Sequence, residues 1–306
     1  MHETMKYICT LLVVPFFLSC SFNKAFLKPD KFPREAKRIK LTNHVTGDSV
    51  IVRFSGDNFQ PVFTGSKNEV PGNNYSIESV VFNNDKGSRL NGWLLKPTDG
   101  RPAGITILHL HGNEGSLLVQ YKAISPLVGN GIQVFTFDYS GFGFSERTAT
   151  QQQVHADALA ALDYVRGRPD VKNTRIVIYG QSLGGHLAAV VAAERQEMIA
   201  GLVTEGAFSS PKDIGAYMVR KSIGLGFVGR LLVKSNYSAK ASIKNYHKPL
   251  LVIHSTEDQE VPFFMGRRLY DQANEPKEFY QILGPHIAGP ARYSDTISLK
   301  IRAMER

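Results

Sequence analysis

Cysteine is nearly absent from this chain. Its 306 residues include two, Cys9 and Cys20, both within the first twenty positions. Beyond that end there is no pair for a disulfide, no thiol nucleophile for a globular part and no zinc site of cysteine type. The nine histidines contain no His-Glu-x-x-His spacing. Internal repeats and low-complexity tracts are missing, which excludes a solenoid. Acidic residues are in deficit, 27 against 36 Lys and Arg, for a net charge of +9. No recognised nucleic-acid module accompanies that charge, so nucleic acid is not an expected partner. The basic cluster from Lys28 to Lys40 reads as a solvated segment or, more sharply, as attraction to an anionic membrane surface. A hydrophobic content of 42% over this length supports one large α/β domain or two small ones.

The amino-terminal end reads as an address. Lys6 precedes the apolar run Ile8 to Leu18, which is too short for an ordinary membrane-spanning helix, and Ser19 is a small residue just before Cys20. The stretch Phe17-Leu18-Ser19-Cys20 resembles a bacterial lipoprotein signal, departing from it at Phe17, where an aliphatic residue is usual. The resemblance implies a signal peptide over 1–19, lipidation of Cys20 and an exported protein anchored to a membrane of the bacterial cell envelope. A secretory signal giving a soluble exported protein, and an uncleaved apolar anchor, remain as alternatives.

Residues 20–75 are assigned to a tether and an N-terminal appendage, with short β-like runs between Val50 and Phe63. From residue 76 to 306 β-rich segments alternate with helix-length stretches, which predicts one mostly parallel α/β sheet. Strands are expected at Ser79 to Phe82, Leu90 to Leu95, Ile105 to Leu110, Gln133 to Asp138, Arg175 to Tyr179, Gly201 to Thr204, Leu250 to His254 and Glu278 to Leu283. The first two flank Asn83-Asn84-Asp85-Lys86-Gly87 as a hairpin. Most of the others are unbroken apolar runs, as in strands covered on both faces. Helices are expected at Gln120 to Val128, Val154 to Val165, Leu187 to Arg195, Phe263 to Gln272 and Asp295 to Arg306. The interval from about 207 to 248 lacks a confident strand and reads as a small lid or a plain surface helix pair.

Chemistry concentrates at Gly180-Gln181-Ser182-Leu183-Gly184-Gly185, between a strand and a helix-like stretch. That context turns a G-x-S-x-G match into a nucleophile elbow, a sharp strained turn that holds Ser182 Oγ out at the carboxyl edge of a sheet. A serine hydroxyl needs a base, and the base needs an orienting group. In chain order Ser, acid, His, the acid is Asp258, in the loop after Leu250 to His254, with Glu257 and Glu260 as local competitors. The base is His286, after the last strand. Parallel strands bring such loops to one edge. The oxyanion donors expected are the N–H groups of Leu183 and of Asn113, the latter in His111-Gly112-Asn113-Glu114-Gly115. His254 is read as structural, and no third ligand joins His109 and His111, so no metal is expected.

Together His111-Gly112-Asn113, the run Asp138 to Ser145, the elbow at Ser182, Asp258-x-x-Val261-Pro262 and His286 resemble the α/β-hydrolase superfamily over about residues 77 to 306, and most closely its small-lid esterase and serine aminopeptidase-like members. The resemblance implies an α/β-hydrolase fold of about eight strands, catalytic Ser182, Asp258 and His286, and a structural turn at Asp138. It implies no cofactor and a small-molecule or lipid-like ester as substrate. Ser140 stands where arginine is frequent, and Glu205-Gly206-Ala207 replaces a more usual serine-containing turn. Cleavage of a carboxylic ester or thioester is the expected reaction. Amide hydrolysis or acyl transfer on the same site, and an inactive binding protein of the same fold, are the alternatives. Nothing in the chain indicates an oligomeric state.

Overall fold

A computed structural model describes residues 23, 26–42, 47–65, 74–100 and 102–304. The expected signal peptide 1–19 and Cys20 lie outside the described residues. The strands are β1 (Lys28–Pro29), β2 (Arg38–Thr42), β3 (Ser49–Ser55), β4 (Gln60–Gly65), β5 (Tyr75–Asn83), β6 (Arg89–Pro97), β7 (Ile105–Leu110), β8 (Glu114–Gly115), β9 (Gln133–Phe137), β10 (Arg175–Gln181), β11 (Gly201–Glu205), β12 (Leu250–Ser255) and β13 (Lys277–Ile282). The longer helices are α1 (Gln151–Gly167), α2 (Leu183–Glu194), α3 (Pro211–Ile223), α4 (Gly226–Leu232), α5 (Phe263–Gln272) and α6 (Gly289–Arg302).

Eight strands form the central sheet in the order β13-β12-β11-β10-β7-β9-β6-β5. Only β6 runs against its neighbours; β9, β7, β10, β11, β12 and β13 pair in parallel. The hairpin of β5 and β6 closes as expected, because Asn84 Oδ1 accepts from the N–H groups of Lys86 and Ser88 and pins the turn. The parallel strands read as unbroken apolar runs because each feeds two cores. Leu108, Leu110, Leu250 and Val252 join α1, α2 and α5 on one face, while Ile105, Ile107, Leu251 and Ile253 join α6 on the other.

Four expected helices differ in extent, α1 running from Gln151 to Gly167 rather than from Val154 to Val165. Over Gln120 to Val128 the chain forms a four-residue helix, Leu117–Gln120, followed by 3-10 turns at Tyr121–Ala123 and Ser125–Asn130. Pro126 supplies no N–H for a continuing α-helix. The helix after the elbow starts at Leu183 rather than Leu187, and α6 starts at Gly289 rather than Asp295, with a break at Tyr293.

The described residues upstream of β5 are built into the molecule. Strands β2, β3 and β4 form an antiparallel sheet whose Val52 and Phe54 enter the core beside Trp93. The amides of Asn58 and Gln60 donate to the Ser79 and Ile77 carbonyls, clamping this sheet to β5. Residues 26–32, expected to be part of the tether and appendage, instead lie along the carboxyl edge of the main sheet. There β1 pairs in parallel with β8, and Phe26 and Leu27 are buried. Apolar side chains at 26 and 27 favour burial over a solvated tether.

Candidate active site

Ser182 sits between the end of β10 and the first residue of α2 with φ 55° and ψ −118°, a left-handed conformation that an L-residue adopts only when its surroundings enforce it. The enforcement is close packing. A Cβ on Gly184 would lie 1.9 Å from the Leu110 carbonyl oxygen, and one on Gly180 would lie 2.2 Å from the Gly184 oxygen. From the other side Ser182 N–H donates to the Glu205 carbonyl at 2.9 Å, tying the elbow to β11.

Asp258 and His286 meet. Asp258 Oδ1 accepts from Glu260 N–H and Val261 N–H, both at 2.9 Å, which leaves Oδ2 to accept from His286 Nδ1 at 2.6 Å. Of the two competing acids, Glu257 instead accepts from Gly284 N–H at 2.7 Å and braces the loop that carries His286. Burial works against charge on both partners, but their mutual hydrogen bond and attraction prevail, holding His286 above the ordinary imidazole value and Asp258 below the ordinary carboxylate value. The pair therefore links stability to pH. The His286 share is full at low pH and lost as pH rises through its raised pKa; the Asp258 share is full at neutral pH and lost as pH falls through its lowered one. The far nitrogen, His286 Nε2, is buried without a partner among the described residues. The ring lies against the strand end that holds the elbow: a Cβ on Gly206, one residue beyond the carbonyl that holds Ser182, would lie 2.8 Å from His286 Cε1. No hydrogen bond joins Ser182 to His286, a common condition of such pairs before substrate binds.

The loop after β7 lies beside the serine, where a Cβ on Gly112 would be 3.8 Å from Ser182 Cβ. Neither Asn113 N–H nor Leu183 N–H donates to another described residue, and both residues line the cleft that contains Ser182. The loop is held from three directions. Lys28 N–H donates to the Asn113 carbonyl at 2.9 Å, Asp30 N–H to the Gly115 carbonyl at 2.8 Å, and Leu117 N–H to Asp138 Oδ1 at 2.6 Å. Asp138 is buried, which pushes its carboxyl up to about 7 despite the Leu117 bond, and its contacts hold turns rather than face the cleft.

The cleft is about 340 Å³, large enough for a small acyl group. Its walls include Phe26, Leu183, Phe208 and Val261, with Ile214, Tyr217 and Met218 contributed by α3. Within the interval 207–248, α3 starts from Ser210, whose hydroxyl accepts from Asp213 N–H, and ends at Gly224 with φ 76°, before the chain turns into α4.

Three other histidines are structural by their contacts. His109 bonds Thr136 and Gln181, His186 bonds the Phe208 carbonyl, and His254 bonds the Val261 carbonyl at 2.9 Å. Burial drives the His109 imidazole down to about 3 and that of His186 to about 4, so both are neutral. Among the described residues no three His, Cys, Asp or Glu side chains form a metal-holding group.

Sequence reasoning gave Glu205 no role, yet it joins the elbow to the histidine loop. Its carboxylate is fully buried, with Oε2 accepting from Tyr179 hydroxyl at 2.9 Å and from Gln181 Nε2 at 2.7 Å, and Oε1 accepting from Gly289 N–H at 2.6 Å. Its one sequence signal was a charge inside an apolar strand, Gly201 to Glu205. Replacement by leucine strands three donors, each costing about 1–3 kcal/mol. Glu205→Leu is thus expected to lower unfolding free energy by about 3 kcal/mol or more, read from urea denaturation; a loss under about 1 kcal/mol contradicts this accounting.

Comparison with known proteins agrees with this fold. The family model described as alpha/beta hydrolase fold matches residues 105–222. The uncharacterized protein YfhR of Salmonella typhi is 36% identical over 233 residues, covering 71% of this chain and 77% of the relative. Among solved structures, the Pyrococcus furiosus esterase Pf2001 superposes with a TM-score of 0.63 at 18% identity, over 77% of this chain and 95% of that one. The Pyrococcus horikoshii acylaminoacyl peptidase superposes at 0.57 and 18% identity, over 89% of this chain and 50% of that one. On its relatives, its sheet order and its elbow, the chain belongs to the α/β-hydrolase family.

Proposed function

We propose that the protein is a serine hydrolase acting on a carboxylic ester or thioester, with Ser182 as nucleophile, His286 as general base and Asp258 as its orienting acid. The observation that carries this reading is the 2.6 Å Asp258–His286 bond on the sheet edge where Ser182 is held at φ 55°. His286 Nε2 takes the Ser182 proton as Oγ attacks the carbonyl carbon. The resulting oxyanion accepts from Leu183 N–H and Asn113 N–H, neither of which donates to another described residue. Collapse of the tetrahedral species expels the alcohol or thiol, which receives the proton from His286. Water, activated by the same imidazole, then releases the acid and regenerates Ser182. No step calls for a cofactor.

The apolar part of the cleft lining suits the acyl group of a small or lipid-like ester, with Lys28, Glu114, Lys221 and Glu260 also on its walls. The proposed setting is the bacterial cell envelope, with the chain held by a lipid on Cys20, on the support of the Phe17-Leu18-Ser19-Cys20 pattern behind an apolar run. A p-nitrophenyl ester series of increasing acyl length, run beside a panel of aminopeptidase substrates and with an added alcohol acceptor, tests the reaction class. The expected result is ester hydrolysis above every amide; preference for an amide over every ester overturns the choice.

The protonation of His286 adds a pH prediction. The base must be neutral, and Asp258, Glu260 and Glu205 raise its pKa, so kcat/KM should climb with pH through a midpoint above 6.5 and then level off. A profile already flat from pH 5 upward contradicts that assignment.

A further inference from the structure

Between Asp213 and Glu257 the chain has no acidic residue, while Arg220, Lys221, Arg230 and Lys234 fall on or beside the two helices over the cleft. The same helical hairpin carries four of the large exposed apolar side chains: Met218 at 46%, Leu225 at 50%, Phe227 at 64% and Leu231 at 76% relative exposure. Exposure of this kind repeated along one helix pair is unusual for a soluble surface and marks a contact site. The hairpin is a firm platform. A Cβ on Gly229 would lie 2.2 Å from the Gly215 carbonyl oxygen, so α3 and α4 touch backbone to backbone. Arg230 is spent at the base of the hairpin, bonding Asp213, which also holds Lys240 and Arg268. Arg220 and Lys234 pair with no acidic group among the described residues and are exposed.

The geometry points to a docking surface for an anionic lipid bilayer, formed by α3, α4 and the turn between them. Apolar side chains projecting from a helix pair, bordered by cations with no acid among them, match the interface of such a bilayer: leucine and phenylalanine enter the acyl boundary while arginine and lysine stay with the phosphates. A protein partner of acidic character would satisfy the cations but leave Phe227 and Leu231 needing a shaped cleft, so the bilayer is the occupant argued for. The orientation has a consequence for substrate access. Met218, Tyr217 and Lys221, on the same helix, line the cleft that contains Ser182, so docking through this helix sets the cleft beside the lipid phase. Docking itself does not depend on the chemistry proposed for Ser182.

The test uses the full chain carrying Cys20→Ser, so that no acyl anchor contributes, with vesicles of pure phosphatidylcholine or of phosphatidylcholine and phosphatidylglycerol. Binding is read by co-sedimentation in the parent, in Phe227→Ser with Leu231→Ser, and in Arg220→Gln with Lys234→Gln, folding being checked by thermal unfolding. The expected results are tighter binding to the anionic vesicles, weakening with salt, and a loss of about tenfold or more in each double variant. A local probe separates the lid from the amino-terminal end: the emission of Phe227→Trp should shift to the blue on anionic vesicles, and that of Val62→Trp, on β4, should not. Unchanged binding in both double variants, equal binding to neutral and anionic vesicles, or no shift at position 227 overturns the assignment. Ser182→Ala should dock as the parent does, so loss of the hydrolase reading leaves this result standing.

Discussion

Replacing Ser182 with alanine is expected to lower kcat/KM on an activated ester by roughly a million-fold, with thermal unfolding shifted by no more than a few degrees. The size follows from what the hydroxyl does: without it no acyl-enzyme forms, and His286 has no bound nucleophile to deprotonate. What survives is binding and the oxyanion site, and removal of a nucleophile from such a set costs roughly that factor. The small stability effect follows from the backbone. Residue 182 is strained by its φ of 55°, and the strain is set by Gly180, Gly184 and the Glu205 carbonyl, which alanine leaves unchanged. Steady-state kinetics on purified protein check it, and activity within tenfold of the parent contradicts the role of Ser182.

Asp258→Asn is expected to cost about ten-thousand-fold in kcat/KM, through the tautomer of His286 rather than through loss of fold. Asparagine keeps an oxygen for the Glu260 and Val261 N–H groups, but its amide then presents N–H to His286 Nδ1. The imidazole proton moves to Nε2, the nitrogen that must accept from Ser182. Loss of the carboxylate also removes the influence that raises His286, so the midpoint of the residual pH profile should fall. The neighbouring Glu257→Gln is the control. Its oxygen can still accept from Gly284 N–H, and its activity should stay within about tenfold of the parent. Equal losses in the two variants would refute the choice of Asp258 over its neighbour.

The parts of this arrangement that were legible in the sequence share a physical origin. Strands buried on both faces must be apolar without interruption, so β7, β10, β11 and β12 announce themselves. The elbow is legible because its geometry excludes any side chain at 180 and 184, Asp258 because its loop follows such a strand, and His286 because it follows the last strand of the sheet. Other parts depend on contacts between distant segments. Phe26, Lys28 and Asp30 look like any basic, apolar-rich leader until β1 is seen to fix the loop of Asn113. Glu205 reads as an anomaly in a strand because its three donors come from residues 179, 181 and 289. The helix expected at Gln120 to Val128 breaks into 3-10 turns because Pro126, inside an otherwise apolar helical spacing, supplies no N–H.

The proposed chemistry rests on one activated serine among all those in the chain. Reaction of the native protein with a fluorophosphonate, followed by intact mass and peptide mapping, tests that claim directly. The account predicts one adduct per chain, on Ser182, abolished in Ser182→Ala and strongly slowed in His286→Ala. A folded protein that stays unlabelled, or that carries its adduct on another residue, would contradict it.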